Sequence, residues 1–151
     1  MLFEEGVLKR SQKVPNLFPL LYTVTMTRME IINHWRKGSQ DALRAAHVLY
    51  NDNNFSLALF DCHLAVEKAL KALAMKQHNK EPPFSHDLVF LAEQVRHKLT
   101  KRDNEFLLTL SDFAVDARYD DPTWAEKWAT KDRVADALKN TDRILRSLLP
   151  A

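Results

Sequence analysis

The sequence predicts an all-α fold, an antiparallel up-and-down bundle of about five helices, and three observations lead there. Apolar residues recur in alternating steps of four and three through several long segments. Helix breakers are scarce: 2 glycines and 6 prolines in 151 residues, the prolines gathered at 15–19, 82–83, 122 and 150. No strand-rich segment, internal repeat or low-complexity tract interrupts the helical pattern.

Residues 1–26 stand apart from the bundle expected over 27–151. Pro15 and Pro19 break any helix, and Phe18, Leu20, Tyr22 and Val24 alternate with period two. The stretch reads as an extended arm, or as a non-native upstream segment, because Met26 and Met29 stand just ahead of the first helical pattern. Helix one, Thr27 to about Tyr50, turns Ile31, Trp35, Gly38, Ala42, Ala45 and Leu49 inward. Asn51-Asp52-Asn53-Asn54 supplies a turn and an N-cap, since Asn and Asp side chains accept orphan helix N–H groups. Helix two, Phe55 to Lys76, repeats the spacing at Leu59, Cys62, Val66, Ala69 and Leu73. A second strip of Leu57, Phe60 and Leu64 predicts burial of its first half on both sides, and that side turns polar toward the C-terminus.

A loop from Asn79 follows, with Ser85 as the expected cap of helix three, whose apolar positions are Leu88, Leu91, Val95 and Leu99. Helix four buries Phe106, Leu110, Phe113 and Ala117 and stops before Pro122. Trp124 and Trp128 share a face one turn apart. Helix five, Lys131 to Leu149, turns Val134, Leu138, Thr141, Leu145 and Leu148 inward.

Composition limits the function classes. With 22 basic and 20 acidic side chains the net charge is +2, so no global field draws the chain to a polyanion, and any anion site must be local. The single Cys62, mid-helix among apolar neighbours, excludes an internal disulfide framework and a cysteine zinc cage. No apolar run approaches the roughly 18 residues of a membrane span, and Leu17–Val24 is short and broken by Pro19. The expectation is a soluble, cytoplasmic protein with no membrane partner. There is no His-Glu-x-x-His pattern, and glycines only at 6 and 38 leave no glycine-rich phosphate loop, so neither metal nor cofactor is implied.

Three groups carry candidate chemistry, each with a plain structural alternative. His63, Glu67 and Lys71 fall on one line of helix two, with Lys68 about 100° round from Glu67. This is an anion site or, on periodicity alone, a solvated face with an ordinary i, i+4 ion pair. His86 follows Ser85 and precedes Asp87 at the start of helix three; as an acid or base it needs a carboxylate aimed at its Nδ1, and otherwise it is a solvated first-turn residue. Arg118 and Tyr119 close helix four and offer a guanidinium and a phenol to a phosphate. Alternatively Arg118 neutralises the helix C-terminus and the nearby Asp112, Asp116, Asp120 and Asp121.

In order and spacing these features resemble the HEPN domain (higher eukaryotes and prokaryotes nucleotide-binding), of the small stand-alone prokaryotic type. The likeness runs from about Met29 to Leu149. It rests on the Ala-rich first helix and Asn-rich turn, the Ala65-Val66-Glu67-Lys68-Ala69-Leu70-Lys71 core, Ser85-His86-Asp87-Leu88, and Ala117-Arg118-Tyr119. The resemblance implies a bundle commonly paired as a homodimer and often working beside a minimal nucleotidyltransferase, whose own glycine-serine and paired-aspartate pattern this chain lacks. Many members are metal-independent ribonucleases that use an Arg followed after four to six residues by a His. Here Thr123, Trp124 and Ala125 stand where that His would fall after Arg118. Arg28 and His34 have the spacing but lie at the start of helix one.

The leading expectation is therefore a nonenzymatic, homodimeric module, within a toxin-antitoxin type pair, that binds a nucleotide or a nucleotidyltransferase partner through Glu67, Lys68, Lys71, His86, Arg118 and Tyr119. One alternative is a divergent metal-independent ribonuclease with His86 as acid/base and Arg118 as phosphate clamp, acting on RNA. The other is a structural homodimerisation domain.

Overall fold

The structure is a computed structural model in which residues 26–119 and 122–151 are described. Its helices among these are α1 (Arg28–Asn51), α2 (Phe55–His78), α3 (Leu88–Glu93), α4 (Lys101–Tyr119), α5 (Pro122–Trp128) and α6 (Lys131–Leu148). The described residues contain no strand, which confirms the all-α bundle. The chain divides into residues 1–30, of which only the last five are described, and the bundle of residues 31–151. The question of an arm or an upstream segment falls on residues outside the described ones.

α2 is the axis of the bundle: α3, α4, α5 and α6 all pack on it. Its buried residues run almost all round the helix from Ala58 to Met75. Alanines at 58, 65, 69, 72 and 74 thin the helix so that neighbours approach closely on every side. α6 carries the matching stripe of Val134, Ala137, Leu138, Thr141, Ile144, Leu145 and Leu148, as its periodicity predicts. α4 contributes Leu107, Leu110, Phe113 and Ala114. Trp128 rests half-buried on Phe113, ring centroids 5.7 Å apart, under the Arg133 guanidinium at 5.2 Å.

Several local details differ from expectation. In α1 the fully buried positions are Ile32, Ser39, Ala42 and Ala46, so the inward face is rotated by about one residue from the apolar stripe. Ser39 can be buried because its hydroxyl donates to the Ala65 carbonyl of α2 at 2.7 Å. That rotation leaves Trp35, Gly38 and Ala45 at the seam between the two helices. The Asn turn works through its backbone: Asn53 takes φ 58°, Asn54 donates to the Leu49 carbonyl, and the Asn54 side chain makes no capping bond. α3 is capped by Asp87, which accepts from the Val89 and Phe90 N–H groups, while Ser85 accepts from Asp87 in the turn before it. α3 is also shorter than predicted and ends at Glu93, so Leu99 lies beyond it.

The second half of α2, not the first, is enclosed on both sides. Leu57 is exposed and Phe60 and Leu64 are half-buried, while His63, Glu67 and Lys71 are buried. The cause is the 79–87 connection, which folds back over that half and is fastened there by His86. Asn79, at φ 53°, turns the chain out of α2 to begin it.

The Thr141 hydroxyl of α6 is fully buried, and among the described residues its one polar contact is the Cys62 thiol, too loose for a well-formed hydrogen bond. Burial pushes that thiol up to about 12 and so keeps it unreactive. Thr141→Val should raise stability by about 1 kcal/mol in urea unfolding, since it removes a buried donor whose one neighbour is a weakly bonding thiol, at nearly constant volume. A loss of stability would show that the contact with Cys62 is a hydrogen bond of ordinary strength.

Candidate functional site

The site is built from one helix face and the loop that covers it. His63, Glu67 and Lys71, spaced i, i+4, i+8 on α2, point along one line into the 79–87 loop. The Glu67 carboxylate and the Lys71 ammonium are each 7% exposed and lie 2.7 Å apart. His86 comes in from the loop, and its Nδ1 stands 3.1 Å from both Glu67 oxygens. Its main-chain carbonyl meets His63 Nε2 at 2.9 Å.

Chemistry settles the protons. A carbonyl only accepts, so His63 carries hydrogen on Nε2; a carboxylate only accepts, so His86 carries hydrogen on Nδ1. His63 Nδ1 then faces Glu67 Oε2 at 3.8 Å. His86 is left with its Nε2, which makes no hydrogen bond among the described residues, on a ring whose side chain is 52% exposed. Burial acts to raise the Glu67 carboxyl, but the bonds from Lys71 and His86 outweigh it and hold it below the ordinary glutamate range.

Beside this cluster lies a cleft of about 360 Å³ between α1, α2 and the loop. Trp35, Lys71, Met75, Glu81, Pro83 and Phe84 line it. The Lys71 ammonium stands 5.5 Å from the Trp35 ring centroid, so one cation is held by both Glu67 and an aromatic face. A second hollow of about 400 Å³ runs on along the α1–α2 seam past His34, Lys37, Gly38, Asp41, Asp61 and Lys68. A Cβ at Gly38 would stand 3.1 Å from Lys68 Cδ and Nζ; glycine there lets the lysine lie across α1. Asp41 is already paired with Lys37 and Arg44, whereas Lys68 has no ion pair among the described residues.

Of the six residues expected at a site, the structure brings Glu67, Lys71 and His86 into direct contact. Lys68 is on the adjoining face of α2. Arg118 and Tyr119 occupy the last two positions of α4, but their side chains lie outside the described residues, as do Asp120 and Asp121. The solvated-face reading of Glu67 and Lys71 is corrected, because the loop removes both from water. His63, Trp35 and Phe84 are additions. His63 shares the Glu67 line of helix two, Trp35 belongs to the expected inward stripe of helix one, and Phe84 falls in the loop from Asn79 with no sequence signal of its own. Among the described residues no group of three His, Cys, Asp or Glu side chains could hold a metal ion.

A carboxyl whose pKa is depressed by folding adds stability above its unfolded value and loses it as pH falls through the folded one. Glu67 thus stabilises the bundle at neutral pH, and the contribution disappears below the ordinary glutamate range. Glu67→Ala should cost about 3–5 kcal/mol at neutral pH by stranding a buried ammonium. Glu67→Gln should flatten the acid limb of stability against pH, followed by circular dichroism. An acid limb identical to that of the unmutated protein would show that Glu67 is not held ionised.

The comparisons with known proteins agree with this fold. The family model for the HEPN domain matches residues 32–149. The crystal structure of TT1696 from Thermus thermophilus superposes with a TM-score of 0.68 at 20% identity, covering 78% of this chain and 94% of that one, a likeness of fold. Among curated proteins no sequence matches the chain. A family model spanning nearly the whole described bundle makes the assignment: the chain belongs to the HEPN domain family.

Proposed function

We propose that the chain is a nucleotide-binding HEPN module whose nucleotide phosphate meets Lys71 and His86. One observation carries this reading: the buried Glu67 carboxylate holds an ammonium and an imidazole on the same oxygen, beside an open cleft. An anion arriving there finds the Lys71 ammonium already ordered, so little side-chain entropy is lost on binding, and His86 donates to it from Nε2 once that nitrogen has taken up a proton. Lys68, one turn earlier on α2, lines the neighbouring hollow, where its charge acts on Asp41 and Asp61.

A second reading draws on the orientation of His86. A carboxylate aimed at Nδ1 leaves Nε2 to accept a proton, the arrangement a general base requires. In RNA cleavage, His86 Nε2 would take the proton of a ribose 2′-hydroxyl while that oxygen attacks the adjoining phosphorus. The 5′-oxygen would leave with a proton taken from water at this exposed site, a 2′,3′-cyclic phosphate would remain, and His86 would return its proton to solvent.

The nucleotidyltransferase partner, the toxin-antitoxin pairing, the homodimer and the cytoplasmic setting belong to the proposal through the family. For a dimer, the exposed Leu57 on the outer side of α2, near the half-buried Leu64, supplies a surface. Sedimentation should then show a dimer that Leu57→Lys loosens; a monomer at every concentration removes it.

Titration calorimetry with nucleoside mono- and triphosphates should give saturable binding, weakened about tenfold by His86→Ala or Lys71→Met, a change of roughly 1.4 kcal/mol. Absence of heat with every nucleotide would overturn the binding reading. In metal-free buffer, RNA cleavage that His86→Ala abolishes would establish the second reading, and intact RNA at high protein concentration would end it.

A further inference from the structure

Apart from Lys71, the cleft beside the Glu67 cluster has a lining that phosphate binding does not use. Its loop wall is Glu81-Pro82-Pro83-Phe84, and its helix wall is Ile31, Trp35, Lys71 and Met75. Phe84 is 97% exposed, so none of the described residues covers its phenyl ring. That ring is not on a slack loop. The two prolines restrict the backbone before it, Ser85 N–H closes on the Pro83 carbonyl at 3.0 Å, and His86, two residues on, is fastened to Glu67. The Phe84 and His86 rings lie 5.9 Å apart, edge to face.

The chemistry of this lining selects its occupant. Aromatic faces at Trp35 and Phe84 ask for a flat π-system, while Glu81 asks for a hydrogen-bond donor at its edge. A purely aliphatic side chain would cover the rings but offer no donor to Glu81. A nucleobase satisfies both demands, with a stacking face and a hydrogen-bonding rim. About 360 Å³ lies at the small end of ligand clefts, suited to one base rather than a larger cofactor. Glu81, a carboxylate at the rim, accepts only, so it favours a base that presents an exocyclic amine over one that presents a carbonyl at the same position.

We propose that this cleft is a nucleobase subsite that takes an amino-bearing base, from a free nucleotide or an unpaired RNA end, by stacking against Trp35 and Phe84 with its amine toward Glu81. The proposal rests on the reading that phosphate meets Lys71 and His86, and it assigns the part of the ligand that gives specificity.

Calorimetry with CMP, UMP and ribose 5-phosphate on the full chain tests it, because CMP and UMP differ at the exocyclic amine and the sugar phosphate has no base. CMP should bind more tightly than both. Phe84→Ala, which removes a fully exposed ring and cannot disturb the core, should weaken CMP about tenfold and leave ribose 5-phosphate unchanged. Glu81→Gln should erase the preference for CMP over UMP, and Trp35→Ala should act as Phe84→Ala does in protein confirmed folded by circular dichroism. A tetracytidylate that binds more tightly than CMP would identify an RNA source, and a weaker one a free nucleotide; either supports the subsite. If ribose 5-phosphate binds as tightly as CMP, or Phe84→Ala changes nothing, the base subsite is overturned while phosphate binding stands. If none of the three binds, both readings fall.

Discussion

The arrangement turns on one buried carboxylate. Glu67 sits near the middle of the central helix, where an isolated charge would be costly, and it is tolerated because Lys71 and His86 both bond to it. The consequences reach three elements. Lys71 extends from Glu67 to the Trp35 ring of α1, His86 brings the 79–87 loop down onto α2, and His63 catches the backbone of that same loop. Phe84 and the cleft wall take their positions from this fastening. The ion pair is thus less a source of raw stability than a device that selects one loop position.

Close approach of α1 and α2 is the second requirement, and small residues provide it. Gly38 leaves room for Lys68 to cross the seam, and Ser39 reaches the Ala65 carbonyl where a larger side chain would hold the helices apart. Trp35 would be buried core if α1 were turned by one residue. At the seam instead, it borders a cleft, and the same rotation that buries Ser39 makes an aromatic surface available to a ligand. Packing and binding surface are therefore set by one choice of helix face.

The sequence was most legible where one element meets one neighbour. The four-three stripe of α6 predicts its buried residues almost fully, because a single amphipathic helix against a core is a periodicity problem. Legibility failed where a third element intervenes. Glu67 and Lys71 have the spacing of an exposed ion pair, and nothing in their own helix announces that a loop 19 residues further on will cover them. The apolar stripe of α1 misplaces its face because a serine, polar by type, is buried by one hydrogen bond. Ser85 and Asp87 are both good caps, and only the chain path decides for Asp87. Of the site, Glu67, Lys71 and His86 were readable as residues but not as a contact, and Phe84 was not readable at all. Arg118 and Tyr119 keep the status that the resemblance gives them.

The most direct measurement is the tautomeric state of the histidine rings, read by nitrogen-edited NMR of imidazole in mildly alkaline solution, where free imidazoles are neutral. With Glu67 accepting from His86, the spectrum should show hydrogen on His86 Nδ1 and a bare Nε2, with His63 protonated on Nε2 in the same protein. Glu67→Gln should release His86 from the Nδ1–H form. A His86 that carries its hydrogen on Nε2 in the unmutated protein would contradict the account, because the Glu67 carboxylate could not then be what holds the loop, the imidazole and the cleft in place.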